Sequence, residues 1–429
     1  MKTFPAIVTG IFGALAVGAV IIFATFSAGN HASIGTVVIW GSVPKATMDT
    51  FLSAMAQGNT QYSGVKYVEV PASQLTAQLV QAIASGTGPD LVILPESELL
   101  GETSKLQIIP YASFSKLSFQ NAFLQSGNAF LSGNGAFGLP FTIDPLVMYW
   151  NRALFANASL TTPPSYWDDF SSLAPKLSKA DQNGTLTESA VALGTWSNVT
   201  NAKAILVSIL GELGNPIITL NTQGGYQSTL LAQSTSAALP VNSLVTFYTD
   251  FADPTKPVYS WNSSMANSFD AFTAGKVAVY FGFASELQNI RAANPNLDFA
   301  VAPLPAIRGG GSGSYADVSA VVIPRGAPNP SGALTVAEAM TTQPNEEVIA
   351  SALMLPSVRN DANSPDPANP YAAIFRTAAI KSFGFLDPNP ASTDSIFQQM
   401  IENVSSGKLS VSDATTQANS QLSALLNGQ

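Results

Sequence analysis

The stretch "GAFGLPFTIDPLVMYWNRALF" occupies residues 135–155 and contains one acid, Asp144, in an otherwise apolar run. Pro140 and Pro145 flank that acid on either side. An apolar run of this kind usually belongs in a core. Burying a carboxylate is costly unless something pairs with it. The sequence therefore raises the question of what Asp144 is paired with.

The composition narrows the range of functions. The chain has 429 residues, of which 46% are hydrophobic and 10% charged, with a formal net charge of -9. This length predicts two or three domains. Nucleic acid is not expected as a partner, because no basic cluster follows the N-terminus. The absence of cysteine excludes disulfides and thiolate chemistry, and His31, the single histidine, adjoins the apolar N-terminus. We expect no metal or cofactor site.

Residues 4–28 carry no charge and follow Lys2. A helix of this length spans roughly 35 Å, enough to cross a bilayer core of about 30 Å. The alternative is a cleaved signal peptide, but its apolar core is shorter, and Phe26 stands where a small residue is required. The sequence favours a membrane anchor within residues 1–30. In either case the remainder of the chain is exported.

The chain after this segment alternates strands and helices. Apolar, β-branched runs predict strands at 36–42, 66–70 and 91–94. Helical spacing of apolar residues predicts helices at 44–58 and 73–86. This order indicates a parallel sheet with helices on its faces, and thus an α/β fold.

Six segments in the same order resemble one family. They are "IASGTGPDLVIL" (83–94), the opening stretch, "LTTPPSYWDDF" (160–170), "FDAFTAGKVAVYFG" (269–282), "FAVAPLP" (299–305) and "IENVSSGKLSVSDATTQANSQLSALLN" (401–427). The chain resembles the extracellular solute-binding proteins of ABC importers, in their sugar-binding group. Two features depart from the family: Trp150 stands where Tyr is usual, and the lipid-modified cysteine is missing. A membrane anchor in place of the lipid fits the second departure.

The resemblance implies a two-lobed, periplasmic-binding-protein-like (type II) fold with a hinge and a cleft between the lobes. Transferred to this chain, lobe I comprises residues 31–143 plus 305–343. Lobe II comprises residues 144–304 plus 344–429. The first hinge crossing then falls within the opening stretch, at residues 138–146.

The resemblance also places Asp144 at the hinge, beside the solute. There its oxygens could accept hydrogen bonds from sugar hydroxyls. The alternatives are a structural cap or a salt bridge to an arginine. Strand ends and polar loops supply the other expected ligand contacts: Trp40, Gly41, Ser42, Glu96, Ser97, Trp196, Asn198, Trp261, Gly282, Phe283 and Tyr315. The aromatic residues could instead pack in the core, and Glu96 could instead cap a helix.

The expected function is the binding component of an ABC importer, without enzyme activity, which delivers a sugar or oligosaccharide to a membrane permease. We expect a monomer, held on the extracytoplasmic face of the membrane by residues 4–28. Another polar solute, such as a polyamine or a peptide, is an alternative. An exported enzyme acting on glycans is a second, and it would need two facing acids, one with a raised pKa. A ligand-sensing ectodomain is a third.

Overall fold

A computed structural model of the chain describes residues 34–221, 225–232, 241–311, 313–363 and 369–427. The expected membrane anchor at residues 4–28 lies outside these ranges. Within them, every helix is too short or too polar to cross a bilayer.

The strands of the described chain are β1 (Val37–Gly41), β2 (Val65–Glu69), β3 (Leu91–Pro95), β4 (Leu106–Gln107), β5 (Ile109–Pro110), β6 (Gly135–Ala136), β7 (Gly138–Asn151), β8 (Lys179–Ala180), β9 (Leu186–Val191), β10 (Ile218–Leu220), β11 (Tyr226–Ser228), β12 (Val277–Phe283), β13 (Phe299–Ala302) and β14 (Ala316–Pro324).

The α-helices of the same residues are α1 (Lys45–Gly58), α2 (Ala72–Ser85), α3 (Glu96–Glu102), α4 (Lys116–Ala122), α5 (Arg152–Asn157), α6 (Phe170–Leu177), α7 (Ala202–Glu212), α8 (Val241–Asp250), α9 (Ser268–Thr273), α10 (Leu287–Ala293), α11 (Pro330–Met340), α12 (Gln343–Leu353), α13 (Ala372–Ile380), α14 (Pro390–Ser405) and α15 (Val411–Asn427).

The first strands and helices form as their sequence pattern predicts. In α1, Met48, Phe51, Leu52 and Met55 recur at helical spacing and all four are buried. Helix α2 ends at Gly86, whose φ of 70° lies in the left-handed region that glycine adopts without steric cost. Strands β2, β1 and β3 pair in parallel, which confirms the predicted α/β arrangement.

One sheet runs through the whole molecule. Its strand order is β2-β1-β3-β14-β7-β12-β9-β8, with β13 also paired to β7 and β4 to β14. The first half of β7 pairs antiparallel with β14, and its second half pairs with β12 and β13. Because the sheet partners change near Pro145, β7 belongs to one half of the molecule at its start and to the other half at its end.

Two hydrophobic cores lie on either side of that change. The first core includes Val37, Ile143 and Val318, and the second begins with Leu146. Ile349 and Val358 belong to the first core, although the sequence division places residues 344–358 in lobe II. Helix α12 packs against α1, which explains this difference. The name lobe I is used below for the part built on the first core and lobe II for the part built on the second.

Candidate functional site

Within the described residues, three stretches of chain lie where the two cores meet and contact both of them. The first is β7, which passes from Ile143 in the first core to Leu146 in the second. The second precedes β14, where Tyr315 packs against the second core and Ala316 lies in the first. The third includes residues 383–386, where Phe383 pairs with Tyr315 in a short parallel bridge. These crossings run side by side and form the floor of the space between the lobes.

Asp144 lies at the point where β7 crosses. In the β7–β14 register it stands directly opposite Asp317. Its Oδ1 accepts a hydrogen bond from the backbone N–H of Ser285 in lobe II, at 3.1 Å. Burial raises the pKa of Asp144 to about 7, although the bond from Ser285 acts in the opposite direction. Asp144 therefore acts as a structural cap, which was one of the alternatives, and its bond to Ser285 connects the hinge strand to lobe II.

Asp317 is a second acid at the hinge, and the sequence analysis did not single it out. Burial raises its pKa to about 6. Its Oδ1 is buried and has no hydrogen-bond partner among the described residues. The signal was available in the sequence, because Asp317 interrupts the apolar run "ADVSAVVIP" (316–324) just as Asp144 interrupts its own.

Glu96 lies at the carboxyl end of β3 and begins α3. Its side chain is fully buried, and neither carboxylate oxygen has a hydrogen-bond partner within the described chain. The helix-cap alternative therefore finds no support, since α3 has no side-chain cap bond. Burial, and after it the neighbouring Asp317 carboxyl, raises the pKa of Glu96 well above its usual range.

A cavity of about 560 Å³ lies between the lobes. Glu96, Ser126 and Asn128 line it from lobe I, and Val207, Gly211 and Asn215 line it from α7 and the turn that follows. Residues 383–386 of the third crossing complete the wall. Its size is within the range of small-molecule sites, and it draws on both lobes and a connecting segment. Of the predicted ligand contacts, Glu96 lines this cavity.

Two further polar atoms at the cavity wall have no partner in the described structure: the hydroxyl of Ser126 and the Oδ1 of Asn128. Buried polar atoms are almost always hydrogen-bonded, so each such atom requires an explanation. This pair was not predicted, because "QSGNAF" (125–130) has the composition of an ordinary surface turn.

Phe283 and Tyr315 lie together where the lobes meet. Their ring centroids are 6.2 Å apart in an edge-to-face arrangement, and both side chains are partly exposed. The Asp144, Asp317 and Glu96 carboxyls are all close enough to contribute, after burial, to a raised pKa of the Tyr315 hydroxyl. The neighbouring Gly282 is buried, and a Cβ there would meet the Tyr280 ring at 2.6 Å. The structure thus brings Asp144, Glu96, Phe283 and Tyr315 together.

The remaining lobe I candidates lie at the ends of β1 and β3. Trp40 is partly buried and packs against the first core. Gly41 is buried against Ile93, whereas Ser42 is exposed. Ser97, the second residue of α3, is partly exposed. None of these four residues lines the interlobe cavity that the described residues form.

The structure places three lobe II candidates away from the cavity. Trp261 has no exposed surface and lies in the second core, where its indole N–H donates to Asn198 Oδ1 at 3.1 Å. The Asn198 amide in turn donates to the carbonyls of Asn262 and Met265. Trp196 is buried beside Phe397. Both tryptophans therefore pack in the core, and the loop that carries Trp261 is held inward by its bonds to Asn198.

The acids at the hinge do not form a metal centre. Within the described residues, no group of three or more His, Cys, Asp or Glu side chains is arranged to hold a metal ion.

Two lobes joined by crossing strands around a cavity define the class of two-lobed solute-binding proteins. The sequence profile of the bacterial extracellular solute-binding proteins matches residues 50–376, and the chain belongs to this family. The family name places its members outside the cytoplasm, in agreement with the predicted export of the chain.

Solved structures of low sequence identity share the fold. A cyclo/maltodextrin-binding protein complexed with maltotetraose has a TM-score of 0.72 and 16% identity, over 92% of this chain and 96% of that one. A cyclic α-maltosyl-1,6-maltose binding protein from Arthrobacter globiformis has a TM-score of 0.73 and 16% identity, over 92% and 99% of the two chains. These similarities confirm the two-lobed architecture.

A sequence relative is known from Brucella abortus (strain 2308), where the protein's name describes it as a binding protein. The two sequences are 23% identical over 256 residues, which is 59% of this chain. The matched stretch spans 58% of the length of the Brucella protein.

Proposed function

We propose that the protein is the substrate-binding component of an ABC importer and that it binds a sugar or oligosaccharide between its two lobes. The observation that carries this proposal is the cavity of about 560 Å³, whose wall is built from both lobes and from the connecting residues 383–386. Structural neighbours whose names describe maltodextrin and cyclic maltosyl-maltose binding support the choice of a carbohydrate.

The hinge explains how solute binding would change the arrangement of the two lobes. A solute that contacts both lobes favours the closed arrangement, because the open one offers it the contacts of one lobe only. Pro145 removes one backbone donor where β7 changes partners, and the β7–β14 register shifts between Ser319 and Ala320. Both features weaken the ladder beside the crossing, where a hinge must bend. The closed form would then dock on the permease.

The same hinge suits a polyhydroxylated ligand. An acid with a pKa near 7 exists in both protonation states at neutral pH, so Asp144 can accept a hydrogen bond from a sugar hydroxyl or donate one to it. The partly exposed rings of Phe283 and Tyr315 lie beside it and offer apolar faces to sugar C–H groups.

The N-terminal run at residues 4–28 supports an anchor on the extracytoplasmic face of the membrane. Its uncharged length is sufficient for a bilayer. In this arrangement the protein works as a tethered monomer, next to the permease that receives its solute.

The facing acids Asp144 and Asp317 bear on the enzyme alternative, because both have a raised pKa. They project from adjacent strands of one sheet and would approach a sugar from the same side. Glycoside hydrolysis needs two carboxyl groups that flank the scissile bond. This arrangement therefore supports binding rather than catalysis.

A thermal-melt screen tests the proposal. The panel contains mono- and oligosaccharides, polyamines, amino acids and short peptides. A ligand at about 100 times its Kd adds about 2.7 kcal/mol to the free energy of unfolding, a shift of a few degrees for a chain of this size. We expect a shift with one class of sugar, lost in Asp144→Ala and retained in Asp298→Ala, which removes an exposed lobe II acid. A shift with peptides alone would overturn the sugar assignment, and slow cleavage of a glycan would overturn the binding role.

A further inference from the structure

The interlobe cavity has an unusual balance of polar groups. Three of its buried, unpartnered atoms are acceptors: the two carboxylate oxygens of Glu96 and the Oδ1 of Asn128. The Ser126 hydroxyl is the fourth such atom and can act as donor or acceptor. The buried, unpartnered Oδ1 of Asp317 adds another acceptor beside Glu96. When Glu96 and Asp317 are ionised, the cavity has an excess of acceptors, which a cationic ligand rich in donors would match.

Among the residues that the structure describes, no lysine or arginine is hydrogen-bonded to Glu96. Lys203, at the start of α7, is ion-paired with Asp387 at 2.8 Å and donates to the Pro390 carbonyl. The charged group that acts on Glu96 is another acid, Asp317. A buried carboxylate without a counter-ion is costly, and two neighbouring acids repel each other as well.

We propose that the cavity receives a solute bearing a primary ammonium group, in the form of an amino sugar, with Glu96 as its counter-ion. This inference rests on the proposed function and narrows its substrate class. One ammonium carries three N–H donors, which matches the two Glu96 oxygens and the Asn128 oxygen. A hydroxyl donates a single proton and brings no positive charge. The ammonium also removes the repulsion between Glu96 and Asp317.

Two other features favour such a ligand. Glycine at position 384 leaves room for the carboxylate, because a Cβ there would clash with both Glu96 oxygens. The chain as a whole has a net charge of -9, which attracts cations over long distances. Polyamines share the ammonium chemistry, so the experiment must separate them from amino sugars.

The experiment is calorimetric titration of the full chain in detergent, near pH 7, with four probes: glucosamine, N-acetylglucosamine, glucose and spermidine. The three sugars differ at C2 alone. We expect glucosamine to bind at least roughly tenfold more tightly than glucose or N-acetylglucosamine, and more weakly as salt is added. Glu96→Gln should reduce glucosamine affinity by roughly 10- to 100-fold and reduce glucose affinity much less, because glucose carries no positive charge for Glu96 to pair with.

The matched control is Glu338→Gln, the same exchange at an exposed glutamate of α11 that does not line this cavity. It should leave all affinities unchanged, and circular dichroism of both variants confirms that they fold. Equal affinity for glucose and glucosamine, unaltered by Glu96→Gln, would overturn the ammonium inference and keep the sugar-binding function. Binding of spermidine alone would keep the ammonium site and overturn the sugar. Binding of none of the four would overturn the ammonium inference, and the melt screen with its oligosaccharides would then decide the sugar-binding function on its own.

Discussion

Asp144 stands opposite Asp317 across the β7–β14 pair, at the point where the chain passes from one lobe to the other. Like charges on directly opposed residues of a sheet are destabilising. Burial adds to this effect and raises the pKa of both acids, to about 7 for Asp144 and about 6 for Asp317. The hinge therefore contains a local instability that a bound solute could relieve.

The first prediction concerns pH and stability. An acid whose pKa is higher in the folded than in the unfolded state binds more protons when folded, so its presence lowers the free energy of unfolding as pH rises. For Asp144 this loss extends from its ordinary pKa of 3.8 to about 7. Asp144→Asn keeps an acceptor for Ser285 and removes the charge. We expect the variant to gain about 2–3 kcal/mol on the wild type between pH of about 5 and about 8.

Urea unfolding at several pH values measures this difference. Asp49→Asn is the control, because Asp49 is an exposed acid of α1 paired with Lys45 on the surface. A gap between Asp144→Asn and the wild type that stays constant over the whole pH range would contradict the argument.

The second prediction concerns Gly384. A Cβ at this position would clash with both carboxylate oxygens of Glu96. We expect Gly384→Ala to destabilise the protein by about 1–3 kcal/mol, the usual range for overpacking. In a Glu96→Ala background the loss should shrink, giving a coupling energy above about 0.5 kcal/mol in a double-mutant cycle.

Gly133→Ala is a suitable control for this cycle, because a Cβ there has open space and the residue is exposed. Additive effects of Gly384→Ala and Glu96→Ala on the free energy of unfolding would show that a Cβ at position 384 does not clash with the Glu96 carboxylate.

The third prediction tests whether the Trp261 side chain packs in the core or contacts the solute. Because its ring is fully buried in lobe II, Trp261→Ala should lower the free energy of unfolding by about 3–5 kcal/mol. Trp261→Phe keeps most of the packing and loses the hydrogen bond to Asn198, at a cost of about 1 kcal/mol. Neither should weaken solute binding by the folded protein, as measured by calorimetry below the melting temperature. Reduced affinity for the solute together with an unchanged free energy of unfolding would show that Trp261 contacts the solute in the cleft.

The burial of Trp261 could not be predicted from the local sequence. Its neighbours Ser260, Asn262, Ser263 and Ser264 are polar, so the local sequence indicates an exposed loop. The loop is instead held inward by tertiary bonds to Asn198 and Val191, which local sequence does not report. The Ser126 hydroxyl and the Asn128 Oδ1 were missed for a related reason, since the burial of these atoms depends on the tertiary fold.

By contrast, the strand β7 was predictable from its own residues. Its apolar run extends across both lobes, and the prolines and the acid mark the point of crossing. The same reasoning located Glu96, because the carboxyl ends of strands in an open α/β sheet face the ligand crevice. Asp317 met the same criterion as Asp144 and could have been found with it.

The fourth prediction concerns lobe closure, which small-angle scattering measures directly. A saturating ligand from the melt screen should reduce the radius of gyration, because contacts to both lobes favour the closed form. To shift a population from 1:99 to 99:1, a ligand must bind the closed form about 10⁴-fold more tightly than the open one. A panel compound that gives no melt shift is the control and should leave the scattering unchanged. Unchanged scattering at saturation with a true ligand would mean that the cavity fills without movement of the lobes, and Pro145 and the shifted register beside it would then have no part in binding.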